Sequence, residues 1–275
     1  MSGILYVTGT PIGNLSDLSP RAAQTLAEVD FIAAEDTRVT LKLLNHLGIK
    51  KPMVSYFEHN KRERGEIICA RIEQGESCAI VTDAGMPCVS DPGEDLIKLC
   101  AERGIRTVVI PGPSAVIAAL AVSGLETGRF CFEGFLSVNK KSRGEHLQSL
   151  QNEHRTMIFY EAPHKLPATL RDLYQTFGDR RLSIVRELTK VHEEVIRTTT
   201  AEAAATYADG SVKGEIVLVL AGKPQDDNDE TCTLAEAVAL ARRLIADGEK
   251  ATEAAKNAAA MTGYKKNEIY RELMG

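Results

Sequence analysis

The residues best suited to chemistry lie in one run, Thr82-Asp83-Ala84-Gly85-Met86-Pro87-Cys88-Val89-Ser90-Asp91-Pro92-Gly93, directly after an apolar stretch at 78–81. Its glycines and prolines keep it from continuing a strand or starting a helix before Gly93, so it reads as a rigid loop. Gly85 lets the backbone approach a ligand or take positive φ, while Pro87 and Pro92 fix φ and bias Met86 and Asp91 towards extended geometry. Asp83 and Asp91 supply carboxylate acceptors, and the loop holds no lysine or arginine. A phosphate cradle adds such cations to its N–H groups, so this loop suits a ligand carrying amines and hydroxyls. Further acids (Glu35, Asp36, Glu161, Glu187, Glu193) and two cations (Arg38, Lys190) sit in or near loops that follow apolar runs. Such a set suits proton abstraction from a hydroxyl or amine and the binding of a polar, cationic cofactor. The sequence equally admits a tight structural turn for the loop, and ion pairs bracing the loops for Glu35 with Arg38 and Glu187 with Lys190.

Other chemistries lack their signatures. No GxGxxG follows the first strand, and there is no Walker lysine, GxSxG or HExxH. His164 and His192 stand in loops as isolated histidines, better suited to supporting hydrogen bonds than to catalysis. The six cysteines, Cys69, Cys78, Cys88, Cys100, Cys131 and Cys232, show no CxxC or other metal spacing. They read as reduced, buried small hydrophobes, and no metal site is expected.

The elements that must position these residues alternate strand, loop and helix. Ile4–Thr8 reads as a strand, followed by the breaker-rich Gly9-Thr10-Pro11-Ile12-Gly13-Asn14 and a helix capped by Ser19 before Pro20. Phe31–Ala34 is a second strand, ending in Glu35-Asp36-Thr37-Arg38, and Leu41, Leu44 and Leu47 then repeat at helical spacing until Gly48. Strands are expected at 53–57, 78–82 and 106–110, helices at 64–74 and 94–103, and an alanine-rich helix after Pro111-Gly112-Pro113-Ser114. This alternation implies a mainly parallel sheet with helices on both faces. Four loops, at 9–14, 35–38, 83–93 and 111–114, then share the rim beyond the strands' carboxyl ends, where open α/β sheets bind ligands.

A second unit begins near Gly124, with strands at 130–135, 156–160, 182–186, 194–199 and 214–221, the fourth expected antiparallel to the third. The reading is therefore an N-terminal α/β domain (1–123), a second α/β domain (124–223) with a cleft between them, an acidic linker (224–231) and a helical tail (232–275). Gly263 between the last two tail helices resembles a helix-turn-helix joint, though a helical cap or dimer contact fits the same pattern.

Composition narrows the class. The chain has 275 residues, 44% hydrophobic and a net charge of −5, which suits a soluble protein with real cores and argues against an overall basic nucleic-acid coat. No apolar run approaches the roughly 20 residues of a membrane helix, and residues 1–6 do not make a signal peptide, so a cytoplasmic protein without membrane contact is expected. Local basic runs remain at 139–143, 180–181 and 265–266.

Six separated stretches carry a resemblance: Thr8-Gly9-Thr10-Pro11-Ile12-Gly13-Asn14, Ala34-Glu35-Asp36-Thr37-Arg38, the 83–93 loop, Pro111-Gly112-Pro113-Ser114-Ala115, Arg186-Glu187-Leu188-Thr189-Lys190 and Lys213-Gly214-Glu215. In this order they resemble the ribosomal RNA small subunit methyltransferase I family, a branch of the tetrapyrrole methylase superfamily. The chain departs from that family's Ser-Asp-Ala-Gly-Thr-Pro at Met86, which lacks a hydroxyl.

The resemblance implies two α/β domains of the tetrapyrrole methylase type with a small C-terminal helical domain. It also implies S-adenosylmethionine-dependent methylation of a cytidine ribose 2′-hydroxyl in small-subunit ribosomal RNA near the decoding centre, on the small ribosomal subunit, by a homodimer. By the same analogy Pro11, Asp83, Ala84, Gly85, Ser90, Pro113, Ser114 and Ala115 hold the cofactor, with Tyr160, Gly214 and Glu215 closing from the second domain. Catalytic roles are expected for Glu35, Asp36 and Arg38 towards the ribose and phosphate, and for Glu187 and Lys190 from the other side. Lys140, Lys141, Arg143, Arg180 and the tail lysines are expected to meet RNA phosphates. A tetrapyrrole C-methyltransferase of the same fold and a non-enzymatic RNA-binding module are the competing readings.

Overall fold

A computed structural model describes residues 2–208, 210, 212–224 and 233–274. The expected linker therefore lies, apart from Pro224, outside the described residues, as does Cys232. Two compact units emerge, Met1–Lys223 and Pro224–Gly275.

The first unit begins with the alternation expected from the sequence: β1 (Ile4–Thr8), α1 (Pro20–Glu28), β2 (Phe31–Ala34), α2 (Thr37–His46), β3 (Met53–Ser55), α3 (Lys61–Glu73), β4 (Cys78–Val81), α4 (Gly93–Glu102) and β5 (Arg106–Ile110). The strands form one sheet in the order β3-β2-β4-β1-β5, parallel throughout. β2 and β4 are buried at every residue, as apolar runs covered on both faces must be. One face packs Leu5, Phe31 and Ile80 under Ile68, Ile72 and Leu96, and the other packs Ile32, Ala79 and Val81 under Leu26 and Leu44. Helix starts are set locally: Ser19 Oγ accepts the Ala22 N–H at 3.1 Å, with Pro20 as the first helical residue.

The chain continues through α5 (Ala115–Ser123), β6 (Phe130–Phe135), α6 (Lys140–Ser149), β7 (Thr156–Glu161), α7 (Leu166–Phe177), β8 (Arg181–Arg186), β9 (Glu194–Thr199), α8 (Thr200–Thr206) and β10 (Ile216–Leu220). The second sheet runs β6-β7-β10-β8-β9, antiparallel except between β6 and β7. α8 is absent from the sequence reading, yet its signal is there: Thr199 Oγ1 caps the helix by accepting the Glu202 N–H, the start of a capping-box spacing.

α5 ties the two sheets together. It leaves the first sheet after β5, while Val116, Ala119 and Leu120 pack on Ile158, Val185, Val217 and Val219 of the second. Ile12, from the loop after β1, joins the same cluster. The rim loops of one sheet thus meet the inner face of the other.

The second unit holds α9 (Leu234–Ala246), α10 (Ala251–Thr262) and α11 (Lys266–Met274). A capping box between Thr233 and Glu236 starts α9, and Ala237, Val238, Ala241, Ala255, Ala258 and Ile269 form its core. No helix among the described residues is long and apolar enough to cross a membrane.

Candidate active site

The site is built from loops that lock one another. The loop after β1 pairs with the loop after β4 in a short antiparallel bridge: the Thr10 N–H donates to Gly85 O at 2.9 Å and the Gly85 N–H to Thr10 O at 3.2 Å. Thr10 Oγ1 adds a bond to Thr82 O at 3.2 Å. Beside this bridge Gly9 and Gly112 touch backbone to backbone, so that a Cβ on Gly9 would stand 2.7 Å from Gly112 Cα. Gly85 takes φ +89°, which glycine supplies without steric cost.

Asp91 shapes the rest of the 82–93 loop. Its carboxylate accepts the Cys88 N–H at 2.8 Å and the Gly93 N–H at 2.7 Å. Burial pushes the Asp91 carboxyl above its ordinary range, and those two N–H groups oppose the shift. Among the described residues, the non-glycine positions with positive φ are Cys88 (+68°), Ser90 (+62°), Glu187 (+52°) and Thr189 (+64°). All four fall in the two loops that face this site, and each conformation costs on the order of 1–3 kcal/mol, a cost that persists only where surrounding structure enforces it.

Acids gather where these loops converge. Thr82 Oγ1 donates to Glu35 Oε2 at 2.5 Å, and the Asp36 N–H donates to Asp83 Oδ1 at 3.1 Å. Burial first, and then the Glu35 charge, raise the Asp83 carboxyl above its ordinary value. Asp36 and Arg38 instead clasp each other, with Arg38 Nη2 2.6 Å from Asp36 Oδ2 and the Arg38 side chain 87% exposed. The bonds from Arg38's side chain and backbone hold the Asp36 carboxyl down at about 2.

The second half contributes an ion triad. Lys190 Nζ donates to Glu187 Oε1 at 2.8 Å and Glu215 Oε2 at 3.1 Å. Burial lowers the Lys190 pKa, but the two carboxylates more than offset this, and the ammonium titrates above its ordinary range. Two glycines make room for the triad: a Cβ on Gly13 would meet Lys190 Cγ at 2.6 Å, and one on Gly214 would run into the Glu187 carboxylate. Tyr160 stands on the same side, its ring 4.9 Å from Phe132 and 5.3 Å from Phe135, and burial raises its phenol pKa.

A cavity of about 490 Å³ lies among these groups. Of the residues expected from sequence, Glu35, Asp83, Ala84, Gly85, Ser90, Ser114, Ala115, Tyr160 and Glu215 line it. Pro11, Asp36, Arg38, Pro113, Glu187, Lys190 and Gly214 do not; they lie in the loops behind it or, for the Asp36–Arg38 pair, outside it. Sequence reasoning did not find Phe135, Val185, Leu188 and Val217, which give the cavity its apolar wall. Phe135, Val185 and Val217 are strand positions and Leu188 follows β8; none carries a polar signal, and only pairing of the second sheet brings them to the rim. Among the described residues no lysine or arginine lines the cavity, whereas carboxylates do. Ser114 and Ala115 set the amino end of α5 against it, and the Ser114 side chain makes no capping bond.

Not every expected RNA contact is available. Arg180 is 8% exposed, its guanidinium stacked 4.9 Å over the Phe177 ring and bonded to Gln151 O, so it cannot reach a phosphate. Arg143 is tied to Asp172 at 2.7 Å.

Comparison with known proteins places the fold. Residues 4–204 match the family model for tetrapyrrole (corrin/porphyrin) methylases. A ribosomal RNA small subunit methyltransferase I of Synechocystis sp. is 46% identical over 272 residues, covering 98% of this chain and 96% of its own. One of Thermotoga maritima is 47% identical over 221 residues, covering 80% of this chain and 99% of its own. The structure of uroporphyrin-III C-methyltransferase from Thermus thermophilus complexed with S-adenyl homocysteine superposes with a TM-score of 0.57 at 16% identity, covering 79% of this chain and 97% of that one. The chain belongs to the tetrapyrrole methylase family, in the branch of the ribosomal RNA small subunit methyltransferase I proteins.

Proposed function

We propose that this protein methylates the ribose 2′-hydroxyl of a cytidine in small-subunit ribosomal RNA near the decoding centre, with S-adenosylmethionine as donor. It acts in the cytoplasm, as a homodimer, on the small ribosomal subunit. Val109 on the edge strand β5 and Ile117 on α5, 55% and 53% exposed, supply apolar surface for the dimer.

The observation that carries this reading is the cavity, apolar over much of its wall, with Glu35, Asp83 and Asp91 among its lining residues and no lysine or arginine. S-adenosylmethionine carries a sulfonium and an ammonium, a carboxylate, ribose hydroxyls and a flat base. The acids accept from its ammonium and hydroxyls and offset the charge of its sulfonium, the amino end of α5 offers N–H groups to a carboxylate, and Val185, Val217 and Tyr160 offer an apolar bed. Among the described residues no lysine or arginine lines the cavity to meet a phosphate-bearing donor. The holding residues are Pro11, Asp83, Ala84, Gly85, Ser90, Pro113, Ser114, Ala115, Tyr160, Gly214 and Glu215, the non-lining ones acting by fixing the loops.

When bound, this cofactor supplies a methyl group on a positively charged sulfur, open to in-line displacement by an oxygen nucleophile. The chain's own work is alignment and charge. The interlocked loops hold their conformation before substrate arrives, so that the geometry of attack is set in advance. Glu35, bonded to Thr82, accepts the proton of the ribose hydroxyl. Lys190 stabilises the developing alkoxide, with Glu187 and Glu215 fixing its ammonium. Arg38, exposed and oriented by Asp36, meets the neighbouring phosphate.

Methyl-labelled S-adenosylmethionine offered with unmodified small subunits, free small-subunit RNA or a tetrapyrrole precursor tests this reading. Label on RNA ribose is the expected result. Label on the tetrapyrrole alone overturns the substrate, and label on none of the three overturns the enzymatic reading.

A further inference from the structure

We propose that Phe135 is a stacking platform for the base of the nucleotide whose ribose is methylated, holding that nucleotide, turned out of the RNA, at the mouth of the cavity. The proposal deepens the reading of the protein as a ribose methyltransferase and rests on it.

Strand geometry alone would turn Phe135 away from the site. Side chains alternate along a strand, so Phe132 and Phe135, three residues apart on β6, belong on opposite faces of the sheet. A bulge reverses the parity. In the pairing of β6 with β7, Phe132 stands opposite Ile158 and Phe135 opposite Tyr160, so three steps along β6 match two along β7. Gly134 absorbs the irregularity with φ +65°. The Glu133 carboxylate lies 3.0 Å from His146 Nε2 on α6, which ties down the bulged segment. Both phenylalanines consequently meet one ring: Phe132 stands edge-on to Tyr160 at 4.9 Å, and Phe135 is tilted against it at 5.3 Å. The bulge thus delivers a second aromatic side chain, backed by Tyr160, to the cavity.

Phe135 stands at the entrance. Ile12, Val116, Val185, Leu188, Ile216 and Val217 line the cavity as buried side chains, whereas Phe135 is 61% and Val89 55% exposed. Val89 comes from the loop after β4 and Phe135 from the end of β6. Their parent segments touch, since a Cβ on Gly134 would stand 3.6 Å from Ser90 Oγ. Together the two exposed side chains mark the mouth.

The chemistry names the occupant. A cavity of about 490 Å³ suits one cofactor-sized ligand, so RNA meets the protein at the mouth once the donor is bound. In-line attack needs the ribose hydroxyl about 3–3.5 Å from the methyl carbon, which puts the ribose inward and its base beside the entrance. A stacked strand cannot bring a single ribose so close. The nucleotide therefore leaves the stack, and the Phe135 ring replaces the stacking it gives up. Such stacking tolerates any base, so Phe135 supplies position rather than base identity.

The test uses the full chain and unmodified small subunits. Phe135→Leu keeps apolar bulk without a ring, and Phe135→Tyr keeps the ring. In Phe135→Leu kcat/KM for the acceptor is expected to fall about 5- to 150-fold, while Phe135→Tyr stays within about threefold of wild type. S-adenosylmethionine affinity by calorimetry and oligomeric state by sedimentation stay those of wild type in both. Wild-type kcat/KM in Phe135→Leu overturns the proposal. So does an equal fall in cofactor affinity, which would place the ring on S-adenosylmethionine, or a change of oligomeric state, which would place a second copy of the chain on it. A second measurement needs no methyl transfer: small-subunit RNA transcribed with 5-iodocytidine is irradiated in complex with the protein, and peptide mass spectrometry locates the ring to which the iodinated base crosslinks. A crosslink at Phe135, lost in Phe135→Leu, is expected. Its absence from wild-type protein that methylates normally overturns the proposal and leaves the methyltransferase reading standing. A crosslink at Phe135 in protein that transfers no methyl group supports the base contact and counts against that reading instead.

Discussion

Gly9→Ala probes whether the interlocked loops are what make the site. Gly9 has no positive φ to lose, so alanine suits its backbone and the entire cost is steric. The new Cβ would stand 2.7 Å from Gly112 Cα and 2.8 Å from Gly112 N, both backbone atoms, and 2.8 Å from Met86 Sδ. The methionine can swing away, but the backbone of the 111–114 loop cannot move without carrying the start of α5. Overpacking of this kind costs about 1–3 kcal/mol, and straining the two Thr10–Gly85 backbone bonds adds up to about 1 kcal/mol each. A loss near 3 kcal/mol lowers Tm by about 6–12 °C in a unit of this size. Displacing the loop that bears Asp83 by an ångström costs about a hundredfold in turnover, because alignment is lost. Calorimetric melting and initial rates of methyl transfer read both effects. Gly128→Ala, with open space around its Cβ position, stays within about 0.5 kcal/mol of wild type and serves as control. A Gly9→Ala protein melting within about 2 °C of wild type, with full turnover, would refute the interlocking account, that shift being well under the roughly 6–12 °C expected for a loss near 3 kcal/mol.

Glu35→Gln and Lys190→Ala should each reduce turnover by about two orders of magnitude or more while S-adenosylmethionine affinity by calorimetry stays within a few-fold; unchanged turnover removes that residue from the mechanism. Cofactor affinity should decline as pH falls through the raised Asp83 carboxyl, since protonation deletes an acceptor for a cation, and Asp83→Asn should flatten that dependence in calorimetry run across the acidic range. In the free protein the sign reverses: a raised carboxyl stabilises the fold at low pH, and this is lost as pH rises through its folded value, so Asp83→Asn raises Tm at neutral pH without cofactor. Leu170→Ala, which deletes a fully buried side chain beneath the second sheet, should cost about 2–5 kcal/mol in denaturant unfolding and leave turnover per folded molecule intact.

The first sheet was legible because its strands are short apolar runs, each followed by breakers: Val7-Thr8 by Gly9, Val81 by the 82–93 loop, Ile110 by Pro111-Gly112-Pro113. Parallel pairing then carried all four loops to one rim. The destination of α5 was not legible, because Ala115–Ser123 is apolar all round and presents no single face to read. Glu187 and Lys190 could be paired from spacing alone, three residues apart, but Glu215 reaches Lys190 across 25 positions, through the antiparallel pairing of β8 with β10. The positive φ of Cys88, Ser90, Glu187 and Thr189 had no herald, since these residue types are not those that ordinarily mark such conformations. Arg180 looked like surface charge beside Arg181, and only the fold shows the two taking opposite fates, one stacked on Phe177 and the other exposed.

The central claim is that methyl transfer ends on a ribose oxygen of small-subunit RNA. Its most direct test is partial alkaline hydrolysis of small-subunit RNA recovered after incubation with the protein and labelled S-adenosylmethionine, because a 2′-O-methyl group blocks cleavage at its own nucleotide. The account predicts one new gap in the ladder, at a cytidine, that carries the label and is absent with Glu35→Gln. An unbroken ladder from RNA that has taken up label would place the methyl on a base and contradict it.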